Sequence, residues 1–87
     1  MFDLITINEV KIKIGQLCKQ KRQFYNLSQE QLAENLAMSR ITIQKLEKGK
    51  NVTVDTFLKV LNHFDKLESF HSFLIENIEN QNIPSLY

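Results

Sequence analysis

Glycine and proline are scarce in this chain, with two Gly and one Pro among 87 residues. Tight β-turns depend on these residue types for their backbone geometry, so there is little material for a sheet built from hairpins. Apolar residues recur instead at the helical period along most of the chain. The prediction is an all-α fold of about five helices.

Length and composition narrow the class of protein. Eighty-seven residues fit one domain, which we expect to span 1–87. A single cysteine excludes a disulfide framework and a multi-thiolate metal site, and it fits a reducing, cytoplasmic setting. Apolar runs are too short for a membrane span, and we expect no secretion signal.

Ser and Thr mark three helix starts. Ser28 and Gln31 form a capping-box pattern, Ser39 opens the next helix, and Thr53 opens another. Asn26 and Gly49 are residue types that end helices in a left-handed conformation. The segments predicted to be helical are about 8–25, 29–36, 40–48, a fourth from 53 onward, and 66–79.

These segments predict a domain core over 8–65, an additional helix within 66–80 and a tail at 81–87. The opening stretch, 2–7, is ambiguous among a short strand, a helix overhang and a frayed arm.

Two short helices, 29–36 and 40–48, are joined by only three residues, which predicts a helix-turn-helix. Ala33 is expected where the helices cross, because a larger side chain would push them apart. The side chains expected to fill the wedge are Leu32, Leu36, Met38, Ile43 and Leu46. One face of the second helix is then free, and such a face fits the major groove of DNA.

These residues resemble the Xre family of lambda-repressor-like proteins over about 12–65. The similar segments are IGQ at 14–16, Arg22, LSQEQLA at 27–33, SRITI at 39–43 and LEKGK at 46–50. The resemblance implies a lambda-repressor-like domain of four or five helices that binds a palindromic operator as a homodimer. Asn26 and Ala37 stand where glycine is commoner in the family.

A second resemblance concerns the rest of the chain. Residues 50–61, the fifth helix and a proline-containing tail resemble HipB-type antitoxins, which repress their own operon and bind a HipA-type kinase toxin. Many stand-alone regulators share this ending, so both interpretations stay open.

Charge is unevenly distributed. Residues 1–50 hold nine basic and five acidic side chains, whereas residues 51–87 hold two basic and five acidic ones. The net charge of +1 therefore conceals a cationic first half and an anionic second half. Such asymmetry is compatible with binding to double-stranded DNA.

Four side chains of the predicted helix 40–48 are expected to contact bases: Arg40, Ile41, Gln44 and Lys45. An arginine can bond guanine O6 and N7 together, a glutamine can read adenine, and an isoleucine can contact a thymine methyl group. The alternatives are a phosphate contact for Arg40, a local groove that buries Ile41, and a solvated face for Lys45.

Six further residues are predicted to contact the DNA backbone: Gln29, Ser39, Thr42, Lys48, Lys50 and Asn51. Gln29 takes this role by resemblance to the family's phosphate-contacting position. Its alternative is a polar neighbour of the helix cap, and the alternative for Lys48, Lys50 and Asn51 is solvation.

Arg22 and Glu47 match a pair that forms a partly buried ion pair in the family, and the alternative is two independent surface charges. Cys18 is expected in the core. Four apolar residues of the fifth helix, Phe70, Phe73, Leu74 and Ile78, exceed what a small core absorbs, so we predict a dimer interface. They could instead cap the core.

The predicted function is a DNA-binding transcriptional regulator, a repressor acting as a homodimer; the alternative is an antitoxin of a HipA-type pair. A regulator that responds to a small molecule is a weaker hypothesis, since the chain has no room for an effector domain. Nucleophile, base and oxyanion donors do not converge, so we expect no enzyme, and no cofactor or metal, at His63 and His71 either.

Overall fold

The computed structural model describes residues 4–80, with backbone alone for 79 and 80, and its regular structure is entirely helical. This confirms the all-α prediction. The helices, numbered in chain order, are α1 Ile7–Phe24, α2 Gln29–Asn35, α3 Arg40–Glu47, α4 Val54–His63 and α5 Leu67–Asn80. The predicted tail at 81–87 and residues 2 and 3 of the ambiguous opening lie outside the described residues. Leu4–Thr6 lead into α1 without forming a strand.

The first four helices begin in the same way. Each has a Ser or Thr at its N-cap, in extended conformation, whose hydroxyl accepts a hydrogen bond from the amide three residues later. These caps are Thr6, Ser28, Ser39 and Thr53. Ser28 and Gln31 complete the predicted reciprocal box, with Ser28 N donating to Gln31 Oε1 over 2.8 Å. A cap of this kind contributes about 1 kcal/mol.

The same four helices also end alike: the second residue after each helix has a positive φ. Asn26 and Gly49 adopt it as predicted, at 57° and 75°, and so do Ala37 at 55° and Asp65 at 58°. The amide of the following residue then bonds the carbonyl five positions back, as from Leu27 to Arg22 over 3.0 Å. This pairing satisfies carbonyls that a helix end would otherwise leave open. Every connection between the helices is therefore defined locally.

The core lies where α2 and α3 pack against α1 and α4. Leu32 and Ile43 are completely buried, at 0% exposure. Around them lie the other buried side chains of the cluster, which are Cys18, Ala33, Leu46, Val60 and Phe64. Leu36 and Met38, predicted to fill the wedge, are partly buried against this cluster.

The apolar stripe of α1 is only partly covered. By helical spacing Val10, Leu17 and Tyr25 fall near the same face as Cys18, yet all three are exposed. The buried positions of this helix are Gly15, Cys18 and Arg22, flanked by the half-buried Ile14. The apolar stripe of α1 is thus wider than the surface that covers it. Periodicity identified the stripe, but the packing partner determined which edge is covered.

Gly15 is the point of closest approach between α1 and the end of α3. A Cβ at this position would lie 2.5 Å from Leu46 O and 2.6 Å from Glu47 O. Both atoms belong to the backbone, so neither can move aside without shifting α3. The absence of a side chain at Gly15 therefore sets the distance between the two helices.

The last helix packs mainly on α4. Phe70 meets Phe57 edge-on with ring centroids 5.7 Å apart and stacks on Phe73 at 6.2 Å. Beyond this contact the apolar side chains of α5 are largely open to solvent, including Phe73 at 55% and Ile78 at 67% exposure. In the part of the chain that the structure describes, no helix has the length and apolar character needed to cross a membrane.

Candidate nucleic-acid interface

Helix α3 has one face in the core and one in solvent. Ile43 and Leu46 point inward and are buried. On the other face Arg40, Lys45 and Lys48 are exposed, and Ile41 is 58% exposed. Exposure of Ile41 excludes, for the isolated chain, the alternative in which a local groove buries it. Gln44 and Thr42 lie at the edges of this face and are partly buried.

A shallow hollow runs along this outer face. Its lining brings three of the predicted base-contacting residues together with three of the predicted backbone-contacting ones, namely Ile41, Gln44, Lys45, Lys48, Lys50 and Asn51. The lining contains three lysines and no carboxylate, so its electrostatic potential favours a polyanion. Arg40 lies outside this hollow, exposed at the first turn of α3.

Ser39 and Thr42 are joined to each other at the start of α3. Ser39 Oγ accepts from Thr42 N over 3.2 Å and lies 3.0 Å from Thr42 Oγ1. The hydroxyls therefore serve the helix cap first. Any bond that they make to a phosphate must be shared with that role.

A buried ion pair fixes the far end of α3. Arg22 Nε lies 2.7 Å from Glu47 Oε2 and Nη2 lies 3.1 Å from Oε1, while Nη1 donates to Leu27 O over 2.8 Å. The two side chains are only 11% and 4% exposed. This geometry contradicts the alternative of independent surface charges. A desolvated pair of this kind orients its elements more than it stabilises them.

Gln29 joins the same network from α2. Its side-chain amide donates to Glu47 Oε1 over 3.0 Å, so the residue predicted to contact phosphate also links α2 to the end of α3. Sequence reasoning missed this link because the two residues are 18 positions apart. Glu47, the last residue of α3, thereby accepts hydrogen bonds from both α1 and α2.

Glu47 also governs the ionisation of two neighbouring groups. The hydrogen bond to Glu47 raises the pKa of Arg22, which keeps the guanidinium charged. Burial, followed by the nearby negative charge of Glu47, raises the pKa of the Cys18 thiol to about 12. The thiol is therefore protonated at neutral pH and poorly reactive. Cys18 is a core residue, as expected.

Of the residues predicted to form a dimer interface, Phe70 is partly buried against Phe57, whereas Phe73, Leu74 and Ile78 are exposed. His63 lies edge-on to Phe64 with centroids 4.9 Å apart, and His71 is exposed on α5. Among the side chains of residues 4–78, no group of three or more potential metal ligands comes together.

One contact near the hollow was not anticipated. Lys11 Nζ of α1 donates a hydrogen bond to Asn51 Oδ1 in the loop after α3. The residues are 40 positions apart, and no local pattern in the sequence marks them as neighbours. The tertiary fold alone brings α1 to the edge of the candidate interface.

Two comparisons with known proteins bear on this site. A family model described as helix-turn-helix matches residues 19–69, which is more than half of the chain. The matched segment contains α2, α3 and α4 complete, together with the end of α1 and the start of α5. No curated protein matches the chain significantly.

Proposed function

This chain belongs to the Xre-like helix-turn-helix family of DNA-binding transcriptional regulators, and we propose that it is a repressor that binds a palindromic operator as a homodimer. The observation that carries the proposal is the carboxylate-free, lysine-lined hollow on the outer face of α3. Lysines there attract phosphates, while the adjoining polar and apolar side chains are of types that read base edges.

We assign sequence reading to four residues, Arg40, Ile41, Gln44 and Lys45. Arg40 is exposed in the first turn of α3, the part of a recognition helix that enters deepest into the major groove. Its guanidinium reads guanine, and Ile41 contacts a thymine methyl group. Each well-formed bidentate contact contributes about 1–3 kcal/mol of discrimination.

Backbone contacts come from both ends of the interface. We assign them to Gln29, Ser39, Thr42, Lys48, Lys50 and Asn51. Such contacts set the register of the protein on the duplex without reading its sequence. The ion pair of Arg22 and Glu47, with Gln29 bonded to it, holds α3 at a fixed angle to α1 and α2.

Dimerisation supplies the palindromic preference. Three apolar side chains of α5 are exposed, Phe73, Leu74 and Ile78, and they offer the surface on which a second copy packs. A two-fold dimer places its recognition helices about 34 Å apart, one turn of the duplex. Each protomer then reads one half-site.

Selection from a pool of random duplexes tests this function. The wild-type chain is expected to enrich a palindrome. Replacing Arg40 and Lys45 together by Ala is expected to weaken binding to that duplex by at least about 30-fold, since two contacts of about 1–3 kcal/mol each are lost. The matched control is Lys13→Ala with Lys19→Ala, which removes two charges from α1, where both residues line a separate groove.

Equal weakening by the two double variants would contradict base reading by α3. Enrichment of no duplex would contradict sequence-specific binding. Enrichment of a single half-site without symmetry would contradict binding as a homodimer.

An antitoxin is the second candidate function. Residues 51–87 carry an excess of three negative charges, and α5 offers an apolar surface beside them, which suits a partner protein as well as a second copy. In this alternative the partner is a HipA-type kinase toxin, and DNA binding serves autoregulation. A kinase-like gene beside this one, and co-purification of its product, would support it; failure of the co-expressed product to bind would contradict it.

A further inference from the structure

Lys11 is held at the edge of the candidate interface by its neighbours. Ile12 packs on Gly49, with its Cγ1 3.0 Å from where a Cβ of that glycine would lie. Lys11 itself is half-buried, and its ammonium reaches across to Asn51 Oδ1. The first half of α1 is thus packed against the end of α3, and this packing places Lys11 beside Asn51.

The Lys11–Asn51 hydrogen bond determines which way the Asn51 amide faces. An ammonium group only donates, so it requires the carbonyl oxygen of the amide on its own side. The amide nitrogen of Asn51, with two N–H donors, is then directed away from Lys11. Two further N–H groups of Lys11 also remain free to donate. Both side chains therefore offer donors and no acceptor at the edge of the hollow.

Positive charge at this edge is not neutralised. The ion pairs among residues 4–78 join Arg22 to Glu47 and Lys59 to Asp55, and neither involves Lys11 or Lys50. Lys50 lines the hollow on the outer face of α3 and also the adjoining groove that Lys11 lines. Lys11, Lys50 and Asn51 consequently form a continuous donor-rich border.

We propose that Lys11 and Asn51 together bind one phosphate of the DNA backbone at the border of the operator half-site. The inference rests on the proposed function and extends it to α1. Lys11 contributes charge directly and also holds the Asn51 amide in the donating orientation. Since α1 packs directly against α3, a phosphate held by this pair sets the depth at which α3 enters the groove.

The test compares Lys11→Gln with Lys13→Gln, which removes the same charge two residues later on α1. Lys13 is exposed and lines a different groove, with Gln16, Leu17 and Lys19. The probe is the fluorescein-labelled duplex selected by the wild-type chain, and anisotropy gives the dissociation constant across a salt series. Circular dichroism of each variant checks that the helices are intact.

Lys11→Gln is expected to weaken binding roughly tenfold and to lower the slope of log Kd against log salt by about 0.9, the value for one phosphate contact. The preferred duplex sequence is expected to stay the same, because a phosphate contact reads no base. Lys13→Gln is expected to keep the wild-type slope, and Lys11→Arg to restore most of it.

Coupling between the two residues is the second readout. If Lys11 orients Asn51, the double variant Lys11→Gln with Asn51→Ala weakens binding by less than the product of the single effects. If Lys11→Gln kept the wild-type slope of log Kd against log salt, the inference would be overturned while the proposed function stayed intact. A wild-type chain that selects no duplex would overturn the proposed function itself and this inference with it.

Discussion

The helix-turn-helix and the last helix contrast sharply, although both are rich in apolar residues. In α2 and α3 the apolar side chains Leu32 and Ile43 are completely buried, and both helices are tied to α1 through Glu47. In α5 the apolar side chains Phe73 and Ile78 are more than half exposed. Apolar content therefore does not by itself determine burial; the number of elements that pack around a helix does.

The contrast agrees with the two functions proposed for this small chain, DNA reading by α3 and association through α5. The helix-turn-helix is tied to α1 by an ionic network that positions α3, whereas the side chains of α5 described up to residue 78 retain exposed apolar surface. A recognition helix needs a fixed orientation, because small displacements disrupt contacts to base edges. An association surface needs exposed apolar area instead.

The largest expected effect concerns the ionic network. Glu47→Ala leaves Arg22 buried without its counter-charge, and it is expected to lower the free energy of unfolding by about 3–5 kcal/mol. Urea denaturation followed by circular dichroism measures the change, and loss of helical signal without denaturant is the extreme of the same outcome. The control is Asp55→Ala, which breaks the exposed pair with Lys59 and is expected to cost less than about 1 kcal/mol.

If the two variants destabilised the chain equally, the buried pair of Arg22 and Glu47 would be no more important to the fold than the exposed pair of Asp55 and Lys59. That result would contradict the expected role of the ionic network.

The second expected effect concerns α5. Phe73→Ser with Ile78→Ser is expected to raise the dissociation constant of the proposed homodimer by about 30-fold or more, since residues central to an interface contribute about 2 kcal/mol. Sedimentation equilibrium measures it. The control is Glu76→Ser, on the polar side of the same helix. A wild-type chain that remains monomeric would refute dimerisation through α5.

A third effect depends on pH and concerns Cys18, which lies on α1 next to Glu47. The ordinary pKa of a cysteine is 9.0, and that of Cys18 in the folded chain is about 12. Below pH 9 both states keep the proton, so Cys18 adds no pH dependence. Above pH 9 the unfolded state loses it first, and the free energy of unfolding is expected to fall by about 1.4 kcal/mol per pH unit.

Comparing the wild type with Cys18→Ala between pH 8 and pH 11 isolates this contribution, because lysines and tyrosines titrate in both chains. The variant is expected to lose less stability as the pH rises. Parallel curves would show that Cys18 is not desolvated as the fold implies.

The smallest effect concerns the turn between α2 and α3. Ala37 has a φ of 55°, which strains an L-residue, so Ala37→Gly is expected to raise the free energy of unfolding by about 0.5–1 kcal/mol. The same substitution at Ala33, buried within α2, is expected to lower it by at least about 1 kcal/mol. Thermal denaturation of both variants gives the two signs, and destabilisation by Ala37→Gly would contradict the strain.

Helix ends were predictable because their signals are short in range. The Ser28 cap and its partner Gln31 are three residues apart, and the left-handed conformations of Asn26 and Gly49 depend on residue type. Asp65, which takes the same conformation before α5, was not anticipated, since aspartate marks such a turn less strongly than glycine or asparagine does. The helical period of α1 likewise does not reveal that Val10 and Leu17 are exposed.

The sequence by itself determined the all-helical class, the helix-turn-helix spacing and the residue types of α3, because each is encoded within a few neighbouring positions. Only the tertiary structure decided that Gln29 bonds Glu47, that Gly15 sets the approach of α1 to α3, and that Lys11 meets Asn51. These contacts join residues 18 to 40 positions apart. They depend on the angles at which helices pack, which are set by the whole core and not by any local pattern.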